Sequence, residues 1–219
     1  MIPTITGFKW VPEFARGYVR DTRARWAFEE TGQAYAVNLI DFDYVKSEAH
    51  RRFQPFGQVP TYSDGIVEIF ESGAIALHIA RQAPGLLPEG PAARARAEQW
   101  VIAALNSVEP FVMQIAVVDV FEADQEWSKL RRPKVIEDIR TRLADLSHAL
   151  GDKDWLDGTF TVGDLTMVSV LRGLHDSGLL KEFPNLAAYV ARGEARPAYV
   201  KAMADHLATF ATADEGAST

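Results

Sequence analysis

The chain has no cysteine among its 219 residues. Disulfides, thiolate metal sites and cysteine-based redox chemistry are thereby excluded. Its formal charge of −7 argues against nucleic acid as a partner. No apolar run approaches the ~20 residues needed to span a bilayer, and the chain does not open on a basic segment followed by an apolar one. The expectation is therefore no membrane association and no secretory signal. His50, His78, His148, His175 and His206 are scattered, with no pair four residues apart, so no metal site is expected. A phosphate loop and a Rossmann glycine fingerprint are also lacking. No serine occurs between Met1 and Ile40, a gap that matters below.

What is present suits a globular fold. Hydrophobic residues make up 47% of the chain, and the length allows one large domain or two modest ones. The most informative stretch is Gln54-Pro55-Phe56-Gly57-Gln58-Val59-Pro60-Thr61, followed by Phe70-Glu71-Ser72-Gly73-Ala74-Ile75. Gly57 gives a turn, and Val59, Thr61 and Tyr62 suit a short strand. Ser63-Asp64-Gly65 is a hairpin signal, with a return strand over Ile66 to Phe70. Pro60 cannot donate to a ladder, so it marks a special backbone position. Ser72 reads as the N-cap of an apolar helix. A helix start flanked by Glu71 and Ser72 suits a ligand that carries an ammonium and a carboxylate close together.

Upstream, Thr4 to Trp10 reads as a strand, and Val11-Pro12-Glu13 breaks it. A helix follows from about Gly17 to Thr31, with Val19, Trp26 and Ala27 on one side and Arg20, Arg23 and Arg25 largely elsewhere. Gly32 closes it. Tyr35 to Ile40 is a second strand, and the β-α-β order predicts a parallel pair with a crossover helix.

The two motifs together, about a dozen residues apart within the first eighty, resemble the glutathione-binding half-site of bacterial-type cytosolic glutathione S-transferases. Arg23 to Gly32 is similar to that family's first helix, and Phe183 to Val190 with Arg196-Pro197-Ala198 repeats another of its patterns. The resemblance spans roughly Ile5 to Phe210. It implies an α/β thioredoxin-like domain over residues 1–83 with a cis Val59-Pro60 bond, then an all-α domain over 92–212. The Pro/Gly-rich segment 84–91 links them, and a tail over 213–219 is expected to be disordered.

The second half reads as wholly helical. Residues 92–105 and 109–121 form two helical runs, with Pro110 expected to kink or divide them. The resemblance sets this helix on the electrophile side, where Phe111, Met113 and Gln114 could line a pocket. Asn106 and Ser107 could do so too, or merely satisfy backbone groups at the kink. A further helix over 133–150 carries Val135, Ile139, Leu143, Leu146 and Leu150 at three- and four-residue steps. Thr161-Val162-Gly163-Asp164 is a capping box before an apolar helix, with a role in stability rather than chemistry.

The resemblance further implies that reduced glutathione is bound as a co-substrate, with no resident cofactor, and that its thiolate is presented to a small hydrophobic electrophile. A cytoplasmic homodimer is expected, and Phe56 is placed where some members insert an aromatic into the partner subunit. Glu71 and Ser72 would hold the γ-glutamyl end. Val59, before Pro60, would pair with the cysteinyl unit, and Gln58 would reach the glycine carboxylate or neighbouring backbone. The thiol-activating group is open. The serine-type position falls on Tyr18, and the tyrosine-type position falls on Trp10. Three groups could stabilise the thiolate: the Tyr18 hydroxyl, the Arg16 guanidinium, and backbone N–H groups from Gly17 to Val19. The alternative function is a glutathione or hydrophobic-ligand binding protein that keeps the fold without efficient chemistry.

Overall fold

A computed structural model describes residues 1–216, with side chains described through residue 211. The chain divides into two compact units. The first is Met1–Leu87 together with the segment from Arg196 onward, and the second is Pro88–Ala195. Of the tail expected over 213–219, residues 213–216 continue the last helix, and 217–219 lie outside the described residues.

In the first unit, strand β1 (Thr4–Phe8) and strand β2 (Ala36–Ile40) are parallel and joined by helix α1 (Asp21–Thr31). A short helix α2 (Glu48–Arg51) leads to the hairpin of β3 (Thr61–Ser63) and β4 (Glu68–Phe70). Helix α3 (Ser72–Gln82) follows. The sheet order β2-β1-β3-β4, with β1 antiparallel to β3, is a thioredoxin-like mixed sheet. The core is built from Ile5, Trp26, Phe28, Tyr62, Ile75 and Ile79, all nearly inaccessible. Phe28 stacks on Tyr35 at 4.6 Å.

Three local expectations are corrected. β1 stops at Phe8, and Trp10 lies beyond it, 45% exposed. α1 begins at Asp21, four residues later than read from sequence. The preceding segment is a 3₁₀ turn (Glu13–Ala15) followed by tight turns, with Gly17 at φ 84. A residue there cannot be helical, so Gly17 belongs to the irregular segment, which runs on to Arg20. Arg23 and Arg25 are buried rather than outward-facing, because each guanidinium has an internal partner: Ser72 Oγ and Asp21 Oδ2.

The last helix, α9 (Pro197–Gly216), packs on α1. Tyr199 meets Trp26 edge-on at 4.9 Å, and Arg196 forms a bidentate ion pair with Glu30. Those contacts group α9 with the first unit, whereas the sequence boundary placed its residues in the helical domain of 92–212.

The second unit is helical. A continuous helical stretch runs through α4 (Pro91–Ile102), a π-helical turn (Ala103–Val108), α5 (Glu109–Ala116) and a second π turn (Val117–Phe121). Pro110 therefore does not divide the helix. The wider π turn just before it absorbs the backbone mismatch a proline creates. The run Pro91–Phe121 is long and apolar enough to cross a membrane by length and composition, contrary to the sequence expectation. Its buried face packs on α6 (Glu126–Leu150) and α7 (Val162–Leu171). α6 starts seven residues before Pro133. Its first turns are tied down by the bidentate Arg132–Asp119 pair. α8 (Pro184–Glu194) completes the unit, with Pro184 in its first turn.

The capping box opens α7. Thr161 Oγ1 accepts the Gly163 N–H at 3.2 Å, and Asp164 Oδ2 accepts the Thr161 N–H at 2.9 Å. Asp164 Oδ1 also accepts the Leu156 N–H at 2.9 Å and the Tyr189 hydroxyl at 3.1 Å.

Candidate functional site

The site is assembled in the first unit from three segments. The first is the turn before β3. Val59-Pro60 is a cis peptide. The ladder between β1 and β3 pairs Thr4 with Ser63 and Ile5 with Tyr62, so the Val59 backbone lies beyond its end and outside the sheet. Thr6 Oγ1 accepts the Thr61 N–H at 2.7 Å and anchors the residue after the proline to β1. Val59 is buried with Ile40 and Val45, and Phe8 and Val19 pack against that cluster. The turn and the loop that carries Tyr18 therefore share a core.

Two residues absent from the sequence-derived site hold this turn. His50 is buried, and its Nε2 lies 2.8 Å from the Gln58 carbonyl oxygen. A carbonyl only accepts, so Nε2 carries the proton. Gln54, also buried, takes the Phe56 N–H on its Oε1 at 2.6 Å. The contact is local, two residues along the chain, but glutamine is not one of the short side chains that signal such a turn. His50, eight residues from the carbonyl it binds, carries no signal either. Gln58 itself is exposed and Pro60 is buried.

The second segment is the head of α3. Glu71 has φ 71, the sole positive φ among the described non-glycine residues. It is an exposed residue, and its carbonyl starts the helix by accepting the Ile75 N–H at 2.9 Å. A non-glycine residue held there costs of order 1–3 kcal/mol and persists where surrounding structure and function require it. Glu71, not Ser72, is the N-cap, and it caps without a side-chain hydrogen bond. Ser72 is the first helical residue, 4% exposed, and its Oγ accepts Arg23 Nη1 at 3.0 Å. Arg23 thus ties α1 to the head of α3. The sequence reading had placed it away from the apolar side of the helix, because a helical period alone cannot reveal a buried polar partner.

The third segment is the loop before α1. Tyr18 is 42% exposed. The Arg16 guanidinium is half-buried and sits 5.6 Å over the ring of Phe210. The Gly17 N–H donates to His206 Nε2 at 3.2 Å, and the Tyr18 N–H donates to the Ala15 carbonyl at 3.0 Å. Two of the backbone donors considered for the thiolate are thus engaged within the protein.

A parallel β-α-β unit, an antiparallel hairpin and a cis-proline turn define a thioredoxin-like domain followed by a helical one. The comparisons agree. The N-terminal domain of glutathione S-transferase matches residues 14–81, and the C-terminal domain matches residues 111–204. Glutathione S-transferase 1 of Zea mays is 30% identical over 201 residues, covering 84% of this chain and 90% of the relative. Glutathione S-transferase F11 of Arabidopsis thaliana is 30% identical over 200 residues, covering 83% and 91%. A crystal structure of a glutathione transferase family member from Pseudomonas fluorescens, with two glutathione molecules bound, superposes with a TM-score of 0.81. It is 20% identical and covers 92% of each chain. The chain belongs to the glutathione S-transferase family of enzymes. These two curated relatives are plant proteins, whereas the expectation was a bacterial-type member.

Proposed function

We propose that the protein binds reduced glutathione, stabilises its thiolate and conjugates it to a small hydrophobic electrophile. The observation that carries this reading is the head of α3, where Glu71 is held at φ 71 with Ser72 buried behind it on Arg23. The Glu71 carboxylate meets the γ-glutamyl ammonium. The first N–H groups of α3, which have no intrahelical partners, and the Ser72 hydroxyl meet its carboxylate. The Val59 backbone pairs with the cysteinyl unit, Pro60 keeps that edge open, and Gln58 reaches the glycine end. This hydrogen-bonded frame places the thiol toward the loop before α1.

There the Tyr18 hydroxyl donates to the sulfur and Arg16 supplies fixed positive charge, so that the thiolate forms near neutral pH. The thiolate attacks the electrophilic carbon, a C–S bond forms, and the leaving group departs with its electron pair. The protein contributes orientation and charge stabilisation. The reading sets it in the cytoplasm, with glutathione and the electrophile as small-molecule partners and a homodimer as its assembly.

Thiolate absorbance of bound glutathione, measured against pH, tests this. A wild type that binds glutathione and shows its thiolate near pH 7, with turnover of an activated aryl halide, supports the transferase reading. Tyr18→Phe and Arg16→Ala then apportion the activation. The engaged Gly17 and Tyr18 N–H groups, with no serine between Met1 and Ile40, favour one alternative: a glutathione- or ligand-binding protein with weak chemistry. Tight glutathione binding with neither thiolate nor turnover selects it.

A further inference from the structure

We propose that His206 is a positioning residue: it locks the Arg16–Tyr18 loop through the Gly17 N–H and is itself oriented by Asp21. The proposal rests on the transferase reading for its consequence, although its geometry stands apart from it.

His206 lies on α9, 189 residues from Gly17 in sequence, and is 1% exposed. Its Nε2 faces the Gly17 N–H at 3.2 Å. A backbone N–H can only donate, so Nε2 must offer its lone pair. The neutral ring then carries its proton on Nδ1. Nδ1 lies 3.5 Å from Asp21 Oδ2. That distance is an electrostatic contact more than a full hydrogen bond, and it selects the tautomer that leaves Nε2 as the acceptor. Asp21 is 1% exposed and is held in turn by Arg25 Nε at 2.8 Å, so the carboxylate is fixed and its charge offset.

The sheet makes room for this cluster. A Cβ at Gly7, the penultimate residue of β1, would meet Asp21 Oδ2 at 2.9 Å and Arg25 Nη2 at 3.4 Å. A strand-interior glycine is ordinarily unfavourable, and here it permits the close approach of a buried ion pair. One turn along α9, Phe210 packs edge-on against His206 at 4.9 Å and lies beneath the Arg16 guanidinium. Residues 206 and 210 of one helix thus hold both the backbone of Gly17 and the side chain of Arg16. Gly17 at φ 84 is a point where the chain could readily adopt other conformations. Its engaged N–H selects one, and the residues on either side are those proposed to stabilise the thiolate.

The test compares His206→Asn with His206→Gln. The asparagine amide falls near Nδ1, keeping a donor toward Asp21 but not reaching Gly17. The glutamine oxygen reaches the place of Nε2 and can accept the Gly17 N–H. Amide hydrogen exchange at Gly17, read by NMR without glutathione, should lose about five- to tenfold protection in H206N and recover most of it in H206Q. Bound-thiolate absorbance and kcat should fall by a similar factor in H206N, with the KM for glutathione within about twofold, and H206Q should restore them. Unchanged Gly17 protection in H206N overturns the proposal. So does a loss of kcat that H206Q fails to restore, or lost protection with thiolate and kcat intact. A wild type without any thiolate overturns the transferase reading instead, and Gly17 exchange still decides whether His206 holds the loop. Should H206N not fold, wild-type imidazole nitrogen shifts decide: protonation on Nδ1 is required, and protonation on Nε2 overturns the proposal.

Discussion

Replacing Asp164 by alanine should be among the most damaging single changes in the second unit, and the structure allows the cost to be worked out. The carboxylate is 0% exposed and gathers the Leu156 N–H, the Thr161 N–H and the Tyr189 hydroxyl. All three donor residues are themselves buried. Alanine strands these donors in an apolar setting, at about 1–3 kcal/mol each. The sum is reduced because the wild-type carboxyl is itself costly to bury. Burial pushes Asp164 above the ordinary carboxylate value, outweighing the hydrogen bonds from Leu156, Thr161 and Tyr189 that pull it down. A net loss of about 3–5 kcal/mol follows, or roughly 10 °C in Tm for a chain of this size. Asp164→Asn keeps one acceptor oxygen and should lose about half as much. The pH dependence has a definite sign. A carboxyl raised in the folded state contributes fully below the ordinary carboxylate range, and that contribution is lost as pH rises through it. The asparagine variant should therefore lose less stability than wild type as pH rises above the ordinary carboxylate value. Urea and thermal unfolding followed by circular dichroism measure all three. A Tm for Asp164→Ala within about 3 °C of wild type refutes the hydrogen-bond accounting.

Glu71→Ala should weaken glutathione binding about tenfold or more, since a charged hydrogen bond is worth about 1.5–3 kcal/mol. Glu71→Gly should weaken it similarly while unfolding later than the alanine variant, because glycine tolerates φ 71. Calorimetry and thermal scans separate the two, and equal stability of the variants would argue against strain at that position. Tyr18→Phe should cut turnover about tenfold to a hundredfold with glutathione affinity nearly unchanged if its hydroxyl donates to the sulfur; if Arg16 does this instead, Arg16→Ala shows that pattern and Tyr18→Phe is nearly silent. Burial pushes Glu194 up, but hydrogen bonds from His175 and Arg172 outweigh it and pull the carboxyl down to about 2. Its stabilisation is present above the ordinary glutamate value and is lost as pH falls toward 2, so Glu194→Gln should flatten the acid limb of the stability curve. Light scattering at micromolar concentration should give twice the 24.3 kDa chain mass. Phe56 is 64% exposed beside Phe70 and is the side chain to replace by serine if that mass is found.

The sequence by itself determined the elements whose signals are local. The hairpin at Ser63-Asp64-Gly65, the left-handed Gly32 cap and the Thr161–Asp164 box each depend on neighbours within a few residues. The cis Val59-Pro60 turn, which the family resemblance implies, and the start of α3 at Glu71-Ser72 likewise rest on consecutive residues. Tertiary structure alone decided what depends on distant partners. It showed that α1 starts at Asp21, because the positive φ of Gly17 interrupts a stretch whose side chains read as helical. It turned Arg23 inward to Ser72, and it set His50 under the Gln58 carbonyl. It also brought His206 of α9 onto the Gly17 N–H and joined α9 to the first unit. Periodicity reports which face of an element is apolar. It cannot report which buried polar group meets which, because such pairs form between segments that only the folded chain makes neighbours.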